Sequence, residues 1–163
     1  MAELREMFGE AGCDDVRSHI QSGNIMFSAA PSVAVSVAGM ITALIAAKFD
    51  YRTPVLLRTT DELRVVLLNN PFIAAGAAED ALYVMFLADD LGTDRVGLLD
   101  PNRSPGHQFA VRGQDIYLHL PSGVASTKLS NAYFDTKLET TSTARNWRTV
   151  SKLWSLMTGL PLP

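Results

Sequence analysis

Six consecutive apolar residues, Leu82-Tyr83-Val84-Met85-Phe86-Leu87, constrain this chain more than any other stretch. A strand with one wet face alternates apolar and polar side chains, so a run without alternation reads as a central strand covered on both faces. With 163 residues the chain has material for that cover. A domain of this size buries well over half of its unfolded surface and needs neither disulfide nor metal to fold. The cover is expected to be helical, from amphipathic segments on either side of the run.

Leu4, Met7, Phe8 and Ala11 recur at helical spacing, so the chain opens on an amphipathic helix that Gly12 ends. Val16–Ile20 and Ile25–Phe27 read as strands around the turn Gln21-Ser22-Gly23-Asn24. A helix beginning at Pro31 and Ser32 turns Val37, Met40, Ile41, Leu44, Ile45 and Phe49 inward. A strand over Pro54–Arg58 follows, then a helix that Thr59 and Glu62 open with capping-box spacing; Leu63, Val66 and Leu67 face in, and Asn69-Asn70-Pro71 ends it. The weakly patterned residues 73–81 are the expected linker.

Beyond the apolar run, Asp89 or Asp90 caps a short helix through Val96 and Leu99, and residues 101–105 form a loop. His107–Val111 and Ile116–Leu120 make a second hairpin, in which Ile116, Leu118 and Leu120 share one face and Tyr117 and His119 the other. Ser126 is the expected N-cap of a helix carrying Leu129, Ala132 and Tyr133 or Phe134. The last helix follows Asn146, with Trp147, Val150, Leu153, Trp154 and Met157 on one stripe and Gly159 at its end. The order of elements implies an α+β fold of two tandem ferredoxin-like (β-α-β-β-α-β) halves with antiparallel sheets. The halves are residues 1–72 and 80–163, and the first lacks its opening strand.

Four segments carry a family resemblance: Gln21-Ser22-Gly23-Asn24, Asn70-Pro71-Phe72, Tyr117-Leu118-His119-Leu120-Pro121 leading to Lys128-Leu129, and Thr143–Val150. Together they resemble the bacterial family of proteins of unknown function DUF1697. The resemblance implies the duplicated α+β fold and transfers no activity. Members begin with a strand and a glycine-bearing loop ahead of the first helix, whereas this sequence starts at the helix. An open sheet edge is the implied consequence, and two expectations follow: the sequence is shortened at its start, or a partner chain in a homo-oligomer supplies the missing pairing.

Composition narrows the classes. There are 14 basic and 17 acidic residues, for a net charge of −3, and no basic stripe, which disfavours a dedicated nucleic-acid binder. The apolar stretch Val33–Phe49 is broken by Ser36, Thr42 and Lys48 and is shorter than the ~20 residues a membrane span requires. The start, M-A-E-L-R-E-M-F, has the wrong pattern for a secretory signal. A lone cysteine, Cys13, fits a reducing, cytoplasmic setting. The histidines and Cys13 show no metal-ligand spacing, and no cofactor motif is present.

The densest cluster of specific side chains is T-A-R-N-W-R-T-V, Thr143–Val150. With Asn146 as N-cap, Arg145 precedes the last helix and Arg148 lies in its first turn, so two cations sit at the positive end of the macrodipole. Something negative has to offset them: an internal carboxylate, or an anion on the free N–H groups of the first turn. Lys128, downstream of Gly123, is a fourth candidate contact. A phosphate-loop motif fails there, since Thr127 stands where glycine is needed and Leu129 where serine or threonine is. Gln21 and Asn24 are accessory candidates whose plainer role is turn chemistry. His119 is a candidate acid–base group whose plainer role is a sheet-surface histidine. The leading expectation is a binding module for a small anionic or phosphorylated ligand. An enzyme acting on a phosphorylated substrate and an RNA or protein interaction module are the other classes.

Overall fold

A computed structural model describes residues 1–21 and 23–163, and Thr93 by its backbone alone. The chain divides into two units, Met1–Leu57 and Arg58–Pro163.

In the first unit, α1 (Ala2–Glu10) leads into the antiparallel hairpin β1 (Asp14–His19) and β2 (Asn24–Ser28), followed by α2 (Pro31–Ala34) and α3 (Val37–Phe49). The predicted face of α1 is the buried one: Met7, Phe8 and Ala11 pack with Cys13, Val37, Ile41 and Ile45. Gly12 turns the chain at φ +87°, a conformation that costs glycine little. Within the turn predicted at Gln21–Asn24, Ser22 lies outside the described residues, and Gly23 has the positive φ that hairpins require.

Three expectations fail in this unit. The helix expected to run unbroken from Pro31 stops at Val35–Ser36, where the Ser36 hydroxyl donates to the Val33 carbonyl at 3.3 Å and competes with the helical backbone pattern. Met40, expected inward, is 42 % exposed, because the buried row of α3 is the narrow set Val37, Ile41 and Ile45. The strand expected over Pro54–Arg58 is irregular backbone instead. Pro54 has no N–H for a ladder. Val55 and Leu57 keep the alternation, packing against the helical core of the first unit.

The second unit runs α4 (Thr60–Leu68), α5 (Pro71–Ala74), a 3-10 turn at Glu79–Ala81, β3 (Leu82–Leu87), α6 (Thr93–Val96), β4 (Gln108–Arg112) and β5 (Asp115–His119). A second 3-10 turn at Val124–Ser126, α7 (Asn131–Leu138), β6 (Ser142–Asn146) and α8 (Trp147–Thr158) complete it. The capping box that opens α4 is formed: Thr59 Oγ1 accepts from the Glu62 N–H at 3.2 Å, and the Glu62 carboxylate accepts from the Thr59 N–H at 2.6 Å. The strands form one sheet in the order β4-β5-β3-β6, with every neighbouring pair antiparallel. The fold is therefore α+β with two antiparallel sheets, and from β3 onward the elements of this unit run β-α-β-β-α-β-α.

β3 is the central strand foreseen from its composition, and both of its faces are covered. Leu82, Val84 and Phe86 pack with Tyr117 of β5 under Leu63 and Val66 of α4 and Trp147, Val150 and Trp154 of α8. Met85 and Leu87 pack on the other side with Ile116, Leu118 and Leu120 under Leu129, Phe134 and Leu138. Each fully buried side chain of this size contributes roughly 1.5–3 kcal/mol relative to exposure.

Candidate functional site

The α4/α8 side of the sheet is lined by buried apolar side chains and contains an ion pair at one edge. Arg58 Nη2 donates to the Leu87 carbonyl at 2.8 Å and the Gln114 carbonyl at 3.2 Å, and the guanidinium lies 5.3 Å from the centre of the Phe86 ring. The Asp115 carboxylate approaches it at 3.6 Å, beyond hydrogen-bond length, and its Oδ1 has no hydrogen bond among the described residues. Burial pushes the Asp115 carboxyl up to about 6; Arg58 pulls the other way and Glu62 adds to the rise. The pair and the raised value look contradictory, and the long approach explains why desolvation wins. Tyr117, buried in the same layer, donates its hydroxyl to the Val66 carbonyl at 3.1 Å. Burial pushes that phenol up, and the Asp115 charge adds to it.

The opposite side of the sheet holds a cavity of about 240 Å³. Its floor is Tyr83, Met85, Leu118, Leu120 and Ala144 of the sheet. The segment 124–131 closes it with Val124, Thr127, Leu129, Ser130 and Asn131. None of these side chains is charged. The Asn131 amide donates to Ser142 Oγ at 2.8 Å, and Ser142 donates to the Asp135 carboxylate at 2.6 Å, so the polar end of the wall is held by β6 and α7. A groove of about 280 Å³ in the first unit, between α1 and α3, is lined by Glu3, Glu6, Glu10 and Lys48. Its Lys48 is paired with Glu3 at 3.1 Å, and its acidic surplus repels anions.

The predicted site residues separate. Asn146 is the N-cap of α8, its Oδ1 accepting from the Thr149 N–H at 2.7 Å. Arg145, expected at the threshold of the helix, lies in β6, a strand the sequence reading did not foresee. It sits opposite Val84 and so on the α4/α8 side. Its guanidinium donates to Thr143 Oγ1 at 2.7 Å and to the Ala144 carbonyl at 2.8 Å, and burial pushes its pKa below the ordinary value. Arg148 is exposed in the first turn of α8.

Lys128 is exposed too, but not at a helix start. Ser126 is not an N-cap: its hydroxyl bonds the Ser122 and Gly123 carbonyls within a 3-10 turn, and Ser130 caps α7 by accepting from the Tyr133 N–H at 3.2 Å. The turn tightens the chain after Pro121 and delays the helix by four residues. His119 Nδ1 is 3.2 Å from Gln108 Oε1 and its ring packs on Phe72, on the side away from the cavity. In the first unit Gln21 is exposed, and Asn24 is buried with its amide donating to the His19 carbonyl at 3.4 Å.

Sequence reasoning missed the buried pair Ser104 and His107. Ser104 Oγ lies 2.9 Å from His107 Nδ1 and also accepts from the Lys128 N–H at 3.1 Å. The signal available was Ser-Pro-Gly-His, a turn whose ends meet: the His107 N–H donates to the Ser104 carbonyl at 3.0 Å. Among the described residues no group of histidine, cysteine and carboxylate side chains is arranged to hold a metal, and no helix is long and apolar enough to cross a membrane.

The fold defines a small α+β protein with an uncharged, partly open space on one side of a sheet. The chain belongs to the family described as protein of unknown function (DUF1697), whose model matches residues 1–117. No curated protein matches it. Among solved structures it is similar to the conserved bacterial protein SP0830 from Streptococcus pneumoniae. The TM-score is 0.70 at 22 % identity, with 96 % of this chain and 88 % of that one covered. That likeness concerns the fold, and it covers a larger share of the chain than the family match.

Proposed function

We propose that the second unit is a binding module for a small ligand that joins a short apolar body to an anionic group. The observation that carries this reading is the cavity of about 240 Å³, apolar on its sheet side and lined by Thr127, Ser130 and Asn131 on the other. Ligand sites combine a mostly apolar lining with a few polar groups. A cavity of ~150 Å³ holds a benzene ring, so this space suits a monocyclic body. Two features favour an anionic end. Tyr83, which lines the cavity, pairs across the ladder with Asn146, so the α8 N-terminus begins at the same end of the sheet. Lys128, in the closing segment, and Arg148, in the first turn of α8, are both exposed cations. Arg145, already hydrogen-bonded within β6, has a holding role at the junction in this reading.

Titration with phenyl phosphate tests the proposal. Calorimetric heat is expected, with amide shifts on β3, β5 and residues 127–131, and much weaker effects from inorganic phosphate, which lacks the apolar body. Neither heat nor shifts at millimolar phenyl phosphate would sink it.

A further inference from the structure

The segment 124–130 that closes the cavity is tied to the loop before β4 through one oxygen atom. Ser104 is 4 % exposed, and its Oγ accepts from the Lys128 N–H at 3.1 Å and from Thr127 Oγ1 at 3.3 Å. A hydroxyl has one proton and two lone pairs. With both lone pairs taken by the closing segment, the proton goes to His107 Nδ1 at 2.9 Å, and the capacity of Ser104 is full. Thr127 Oγ1 in turn accepts from the Leu129 N–H at 3.1 Å, so three successive residues depend on the same node.

Besides this node, the segment is anchored by Leu129, which packs in the core with Leu118, Leu120 and Phe134. Leu129 is its one buried residue among those described, and Val124 is 58 % exposed. Ser126 bonds only to Ser122 and Gly123, within the same stretch. Gly123, at φ +78°, offers a hinge at one end and the α7 N-cap a fixed point at the other. We infer that Ser104 is the latch of a strap that closes the cavity, so that loss of its hydrogen bonds frees Thr127 to Leu129 and opens the space beneath. Ser104 is thus a positioning residue, acting on the site through Thr127 and Lys128. Its importance for a ligand rests on the reading of the cavity as a binding site, whereas the latch itself does not.

Amide hydrogen exchange on the full chain without ligand, in wild type and in Ser104→Ala, Thr127→Val and Thr127→Ser, tests the latch. Removing the node is expected to speed exchange at Lys128 and Leu129 at least about tenfold while β3 and β5 keep their protection. Thr127→Val should show a smaller change in the same direction. Thr127→Ser, which keeps the hydroxyl, should stay near wild type. Unchanged exchange at Lys128 in Ser104→Ala would overturn the inference, as would equal behaviour of the two Thr127 variants or equal loss of protection across the sheet. If Ser104→Ala does not fold, the Thr127 pair decides alone. A strap that opens in a protein that ignores phenyl phosphate leaves the latch standing and removes the ligand. Binding with unaltered exchange does the reverse.

Discussion

Replacing Asp115 with asparagine sets two effects against each other. Breaking a buried ion pair by removing one partner commonly costs about 3–5 kcal/mol, because the other charge is stranded. Against that, the Asp115 carboxyl is raised from 3.8 to about 6, a gap worth about 3 kcal/mol in favour of the neutral form. The geometry decides for the second. The Arg58–Asp115 approach is a long 3.6 Å, and in the absence of the carboxylate Arg58 still has the Leu87 and Gln114 carbonyls as acceptors and the Phe86 ring beneath it. The folded-state value lies above the unfolded one, so stability from this group is fully present below pH 3.8 and is lost as pH rises through about 6. The asparagine side chain would keep the neutral shape at every pH. Asp115→Asn is therefore expected to match wild type near pH ~4 and to exceed it by about 3 kcal/mol at pH ~7. Urea unfolding of both proteins across that range measures the difference. A variant less stable at neutral pH, or a difference that does not change with pH, would refute the reasoning and return the advantage to the ion pair.

Tyr117→Phe removes the hydroxyl that the Val66 carbonyl accepts near the end of α4. A loss of about 1–1.5 kcal/mol is expected in thermal or chemical unfolding. Asn146→Ala removes the acceptor for the Thr149 N–H and should cost about 1 kcal/mol with no change in strand protection. Arg148→Gln is expected to leave stability within about 0.5 kcal/mol of wild type, or slightly above it, since a cation in a first helical turn is unfavourable. The same change should weaken phenyl phosphate binding about tenfold, and an unchanged affinity would remove Arg148 from the site.

The parts legible in the sequence are those where one local rule acts alone. Leu82–Leu87 announced its two covered faces by lack of alternation, the Trp147–Met157 stripe by helical spacing, and Thr59 and Glu62 by a cap that forms as expected. The misses came where a tertiary or side-chain preference overrode the local signal. Ser126 looks like a cap but spends its hydroxyl on a 3-10 turn, and Ser130 caps in its place. Pro54–Arg58 reads as a strand from Val55, Leu56 and Leu57, yet it lacks the donor at Pro54 and keeps only the alternate packing of Val55 and Leu57. The cavity was illegible for another reason: its floor comes from β3, β5 and β6 and its wall from residues 124–131, and no window of sequence contains both. The Ser104 node likewise joins residues 23 and 24 positions apart.

The junction at Asn146 shows why Arg145 and Arg148, three apart, have different fates. Asn146 ends β6 with extended φ and ψ of −67° and 156° and caps α8 with its own side chain, so no linker separates strand from helix. Up to that residue side-chain direction follows a period of two, and after it a period of 3.6. Arg145 therefore falls in the row of Val84 on the covered face, where burial lowers its pKa and Thr143 and the Ala144 carbonyl receive its protons. Trp147 and Val150 fix the inward stripe of α8, and Arg148 between them is left outside. Repulsion by the helix dipole then bears on Arg148 rather than on both cations, since the field is strongest within the first turn. A negative charge that offsets Arg148 therefore belongs on the solvent side of that turn, at the end of the sheet where Tyr83 lines the cavity.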